Sequence, residues 1–205
     1  MSVSVRPCRP ADLPALHEIC LRTGAAGGDA SADYPEEDRD LLGTIFAAPY
    51  AVLEPESTFV LDAGHGHAVG YVLGAADTAG FVRRFREEWL PTVAARWPAP
   101  GGEPVTPTEV MAWLLHTPER MVLPALAGYP AHLHIDVLPE YQGAGHGRAL
   151  MNTFLGSLAA RGVPAVHLGM LTENAAARAF YDRLGFHEIA VPDPGALTYL
   201  GRATS

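Results

Sequence analysis

The chain has 205 residues, 48% hydrophobic and 18% charged, which excludes intrinsic disorder and gives one domain enough surface to bury. Its 14 basic against 23 acidic residues leave a formal charge of −9, which argues against nucleic acid and anionic membranes as partners. All 14 basic residues are arginine, so Schiff-base lysine chemistry and a Walker A phosphate loop are excluded.

In chain order, Val3 and Val5 alternate as a short strand that stops near Pro7. Pro10 opens a helix with Leu13, Leu16, Ile19 and Cys20 on one face, and Gly24 marks its end. Residues 24–40 read as a loop, with a second helix from about Asp38 to Phe46. Ser57 to Leu61 and Ala68 to Leu73 read as strands of a hairpin. Thr78 to Trp97 carries the stripe Phe81, Val82, Phe85, Trp89 and Val93 of an amphipathic helix, with Pro91 set to kink or shorten it. Residues 98–107 hold four prolines and two glycines and read as a loop, before a helix from Thr108 to Leu115 and an irregular apolar stretch to Leu126.

The last third is more regular. A strand from Ala131 to Leu138, a glycine-rich turn and a helix from about Gly147 to Ala160 precede a strand from Ala165 to Met170. A helix from Asn174 to Leu184 and strands near Phe186 to Val191 and Ala196 to Gly201 complete the pattern. Strands mixed with helices predict a mixed α/β sheet in one domain, with residues 76–130 as a helical insertion. Cys8 and Cys20 match neither a C-x-x-C pair nor a zinc pattern, and the histidines lack metal-ligand spacing, so no metal is expected. Residues 1–6 lack an apolar h-region and no run of 18 apolar residues exists, so the reading expects reduced thiols, a cytoplasmic location and no membrane span.

The string Gln142-Gly143-Ala144-Gly145-His146-Gly147-Arg148 lies between a predicted strand and a predicted helix. Glycines let amides approach an anion closely, and a helix N-terminus adds favourable partial charge. The spacing G-x-G-x-G misses the Rossmann fingerprint. By itself the string fits an ordinary glycine-rich turn and a phosphate cradle equally well.

Residues 133–151, LHIDVLPEYQGAGHGRALM, resemble motif A of the GNAT superfamily of N-acetyltransferases, with Gln142, Gly145 and Gly147 meeting its Q/R-x-x-G-x-G/A pattern. Residues 174–186 resemble motif B: Asn174 opens a helix, Tyr181 follows seven residues on, and Leu184-Gly185-Phe186 ends it. Thr23-Gly24, Asp33-Tyr34-Pro35, Pro49-Tyr50, Asp77-Thr78 and Glu88-Trp89-Leu90-Pro91 are similar to the acetyltransferase-like C-terminal domain of O-GlcNAcases.

The resemblance implies a GNAT-like twisted mixed sheet and acetyl transfer from acetyl-CoA to an amine, a small cationic amine or a lysine-bearing peptide. It implies that amides from Gly143 to Arg148 hold the pyrophosphate and that Ile135, Asp136 and Val137 carry the pantetheine arm. Asn174 matches the family's cofactor-contacting Asn, although a plain N-cap explains it equally. Tyr181 is implied as the acid that protonates the leaving thiolate. The Glu that many members carry five residues before the Asn is Gly169 here. A base must therefore come from elsewhere, and His134 and Asp136, alternating with His132 on one strand face, are the candidates. The carboxylates between Asp29 and Asp40, Asp29 and Asp33 first, are candidates for a rim that draws cationic acceptors. Two other readings stay open: a non-catalytic acyl-CoA-binding or interaction domain of the O-GlcNAcase type, and a nucleotide-binding regulator.

Overall fold

A computed structural model describes residues 3–205. Seven strands form one sheet in the order β1-β2-β3-β4-β5-β7-β6. They are β1 (Ser4–Pro7), β2 (Thr58–Asp62), β3 (Ala68–Ala75), β4 (Ala131–Val137), β5 (Ala165–Leu171), β6 (His187–Ile189) and β7 (Leu197–Ala203). Neighbours pair antiparallel except β4 and β5, which run parallel. A parallel pair needs a crossover, and α7 (His146–Ala160) supplies it.

Helix α1 (Leu13–Thr23) packs on one face of the sheet and α7 on the other. Leu16 and Ile19 of α1 and Leu150, Met151, Phe154 and Leu158 of α7 are fully buried, at the spacing of one helix stripe each. β3 is buried along its whole length, as a central strand covered on both faces must be.

The predicted second helix divides into α2 (Leu41–Phe46) and α3 (Ala48–Leu53), the latter absent from the sequence reading. Pro49 reads as a breaker, but it sits in the first turn of α3, where its missing N–H costs nothing. The predicted long helix 78–97 is α4 (Thr78–Arg84), a π-turn over Phe85–Trp89, and α5 (Leu90–Val93). Leu90 N–H bonds back to Phe85 O, five residues away, and this wider turn accommodates Pro91, which has no N–H to give. Helix α6 (Pro107–His116) opens on a Thr106/Glu109 capping box. Helix α8 (Ala175–Asp182) precedes the last two strands. Among the described residues, no helix is long and apolar enough to cross a membrane.

Candidate active site

The site begins where the sheet comes apart. β4 and β5 are paired only at Ala131–Val166 and His132–His167, so the strands separate beyond His132. Backbone groups alternate sides along a strand. Leu138 N–H donates to Val69 O on the β3 side at 3.0 Å, while Val137 O accepts from the Gln142 side chain at 2.8 Å on the other. The amides of Ile135 and Val137 therefore face the open edge, whereas that of Asp136 faces β3. Asp136 contributes to the site through its side chain.

Above this gap stands the N-terminus of α7. Gly145 caps it at φ 85 and Gly143 precedes it at φ 77, a conformation that disfavours any side chain, and a Cβ at either would meet empty space. No side chain caps this helix, so the amides of its first turn, His146, Gly147 and Arg148, are left for a ligand. A cleft of about 550 Å³ is lined by Ile135, Asp136, Val137, Gln142, Gly143 and Gly145. Gly147, Arg148, Asn174, Phe180 and Tyr181 continue its wall, whereas Ala144 and His146 do not line it. A Cβ on Gly147 would press on the Phe180 ring at 3.2 Å, which explains the glycine there. Arg148 is exposed and in no ion pair among the described residues. Unspent amides, an added cation and an open strand edge fit a phosphate-bearing ligand with an extended arm.

Asn174 has two jobs. Its Oδ1 accepts from Ala177 N at 2.9 Å as the N-cap of α8, and its Nδ2 donates to Ala26 O at 3.0 Å. The second bond ties α8 to the loop after α1 across the cleft, where Ala26 holds a positive φ of 52.

Tyr181 and Asp136 both line the cleft, from α8 and β4. The Tyr181 ring packs edge-on against Phe180 and Phe186. Its hydroxyl has no partner in the protein, yet no buried side-chain polar atom lacks one among the described residues, so this hydroxyl reaches the open cleft. Burial, then the Asp136 charge, pushes its pKa up, keeping it a proton donor. Asp136 accepts from the Tyr71 hydroxyl at 2.7 Å, and burial pushes its carboxyl up to about 6 despite that bond. Tyr71 lies directly opposite Asp136 in the β3–β4 register.

His134 stands two residues back on the same face, outside the cleft lining, against Phe46 and Tyr50. Its protonation state follows from a chain of bonds with one dead end. Thr78 Oγ1 donates to Pro130 O, a pure acceptor, at 2.8 Å, so it must accept from His132 Nδ1–H at 2.9 Å. Burial holds the His132 pKa well below its ordinary value, so the ring is neutral. Its Nε2 is then bare and accepts from the Tyr50 hydroxyl at 2.8 Å. Tyr50 oxygen in turn accepts from His134 Nε2–H at 3.1 Å, which leaves His134 Nδ1 with a free lone pair. Burial, then the Arg120 charge, lowers His134 to about 4.

A side chain at Gly169 would meet the Tyr199 ring, 3.3 Å from its Cβ. A carboxylate side chain there would have to move the Tyr199 ring by a few tenths of an ångström. Asp29 is exposed and accepts from Ser31 N at 2.8 Å, and neither it nor Asp33 lines the cleft. Sequence reasoning missed Thr23, Ala26, Gly27, Phe180 and Arg183 as cleft walls and Tyr50, Tyr71 and Thr78 as the supports of the histidines and Asp136. Phe180 and Arg183 flank Tyr181 and were within reach of the motif argument. Tyr71 depends on strand register and Tyr50 on the packing of α3 against β4, which no local pattern carries.

The chain belongs to the acetyltransferase (GNAT) family, whose model matches residues 25–186. Its structure superposes on the crystal structure of SsHAT with a TM-score of 0.96 and 58% identity, over 100% of both chains. It is 25% identical to the protein O-GlcNAcase of Mus musculus over 205 residues, 98% of this chain but 22% of that protein. The PaiA N-acetyltransferase of Thermoplasma acidophilum, in complex with coenzyme A, shares the fold at TM-score 0.59 and 13% identity over 99% of both chains.

Proposed function

We propose that the chain acetylates a primary amine in a ternary complex, the amine nitrogen attacking the thioester of acetyl-CoA directly. Acetyl transfer follows from the family, and acetyl-CoA is the co-substrate. One observation carries the mechanism: Asp136 and Tyr181 line one cleft, and burial pushes both upward, leaving a base near neutrality and an acid that keeps its proton.

Amides of His146, Gly147 and Arg148 hold the pyrophosphate, with Arg148 and Arg183 as nearby cations. Gln142 steadies the loop through Val137 O. The open-edge amides of Ile135 and Val137 pair with the pantetheine arm, and one of them donates to the thioester oxygen as negative charge develops there. A donor so aimed contributes about 3–4 kcal/mol in other enzymes. Asp136 takes the amine proton, directly or through water. His134 Nδ1 accepts from the remaining amine N–H and orients the lone pair. As the carbon–sulfur bond breaks, Tyr181 gives its proton to sulfur. Asp136 is the better-tuned base of the two candidates, since burial pushes its carboxyl up while it pushes the His134 ring down.

The rival reading, an acyl-CoA-binding domain without catalysis, rests on Gly169 in place of a base. Calorimetry with acetyl-CoA, followed by a screen for thiol release over an amine library, separates the two. The wild type binds and releases thiol with at least one amine. Gly145→Glu adds bulk and negative charge at the cradle and abolishes binding. Unchanged affinity in a folded Gly145→Glu variant removes the cradle, and binding without thiol release favours the rival.

A further inference from the structure

The register of the sheet defines a second half of the site, on the face that carries the histidines. His132 pairs with His167, their rings 6.0 Å apart, so that face continues on β5 at Gly169. Gly169 pairs with Tyr199 of β7. Beyond the point where the strands part, His134 and Asp136 thus stand on one side of the gap and Tyr199 on the other.

Arg120 sits in the 3₁₀ turn Pro118–Met121 of the insertion, which packs beside α4, whose Thr78 and Phe81 contact His132 on this face. After burial, its charge is the next largest influence on Tyr50, His134 and Tyr199, lowering all three, so its guanidinium stands within electrostatic reach of these side chains. Burial also makes Arg120 the one arginine, among the described residues, held below its ordinary value. It nevertheless has no carboxylate partner among the described residues. Its neighbour Glu119 is taken by both arms of Arg86, at 2.9 and 2.6 Å. A half-buried cation that cannot deprotonate and has no counter-ion is costly unless a ligand brings one.

The unused donors have the right shape. Nη1 is committed to Leu114 O and Thr117 O at 3.0 and 3.1 Å. Nε and Nη2 have no partner, and since no buried side-chain polar atom is left unsatisfied among the described residues, they reach solvent, as does the unpartnered Tyr199 hydroxyl. Nε–H and Nη2–H form the parallel fork that grips a carboxylate with two bonds.

We propose that the acceptor is an amino acid-like small molecule whose carboxylate sits on the Arg120 fork and the Tyr199 hydroxyl while its amine faces Asp136. This rests on the acetyl-transfer reading and replaces a purely cationic acceptor with a zwitterionic one.

The test is a series from glycine to 6-aminohexanoate, each member assayed against its own amide, with acetyl-CoA as donor and free thiol as readout. At the preferred length the acid exceeds its amide in kcat/KM by about 10–100-fold, the range of a charged hydrogen-bonded contact. Arg120→Gln brings that ratio to about 1, Arg120→Lys keeps part of it, and Tyr199→Phe lowers it several-fold, with acetyl-CoA affinity measured in each as the check on folding. Amides that equal or exceed the acids at every length overturn the carboxylate site, and this comparison needs only the wild type. Aminoalkylphosphonates preferred over the acids overturn it also. Acetyl-CoA binding with no amine of either kind acetylated defeats the transferase reading itself.

Discussion

Asp136 is a carboxylate held where its charge is disfavoured, and that placement makes two effects separable. Its carboxyl, pushed up to about 6 by burial, stands above the ordinary aspartate value near 4, so the fold favours the protonated form. The cost of the buried charge is absent at low pH, grows as pH rises between the two values, and is complete above about pH 6. Asp136→Asn keeps an acceptor for the Tyr71 hydroxyl and removes the charge. Its midpoint of thermal unfolding rises at pH 8 and changes little at pH 4, while turnover falls about 10²–10⁴-fold. In the wild type, kcat/KM climbs with pH through about 6 as the base ionises; a flat profile with slow substrate turns attention to His134. Tyr181→Phe lowers kcat by a similar about 10²–10⁴-fold and leaves acetyl-CoA affinity nearly unchanged by calorimetry. Normal turnover in that variant makes the ring a core side chain only. At this scale the sequence was informative where a motif names a position, as at Tyr181, Asn174 and the glycines. It was silent on which candidate base is better tuned, because that depends on burial and on Tyr71 lying opposite.

Two helices present their N-termini to the cleft and are treated oppositely. α7 starts on a glycine with no side-chain cap, so its amides are free for a ligand; α8 starts on Asn174, which takes up the Ala177 amide within the chain. The glycine string and the Asn were both visible as helix starts, which is why the uncapped start of α7 and the capped start of α8 were legible. What Asn174 does across the cleft was not legible, since Ala26 lies 148 residues away in sequence. Asn174→Ala removes a cap and a cross-cleft tie together. It costs about 1 kcal/mol for the cap, measured by urea unfolding, and weakens acetyl-CoA binding more than that loss explains. Asn174→Ser restores the cap but is too short to keep the tie. Equal acetyl-CoA affinities for the Ser variant and the wild type would falsify the tie's role.

Over the whole molecule, one side chain anchors the first edge of the sheet. Arg6 on β1 bonds Asp12, which is buried, through two nitrogens at 2.7 and 2.8 Å and Asp62 on β2 at 2.6 Å. The Arg6 contact holds both carboxylates below the usual range. That stabilisation is present above the unfolded carboxylate value near 4 and is lost as pH falls through the lower folded values. Arg6→Met strands two carboxylates, read as a lower denaturation midpoint at pH 7; the gap between variant and wild type narrows towards pH 3. The sequence by itself determined the elements of the last third, the glycine-rich turn at the start of α7 and the family, because strand-turn-helix periodicity and motif spacing are local properties. It did not determine where β4 and β5 part, which partners tune Asp136 and His134, or that the Arg120 charge reaches Tyr50, His134 and Tyr199. Those follow from register and from the packing of an insertion over the sheet, contacts between residues tens of positions apart whose chemistry appears only when the chain closes on itself.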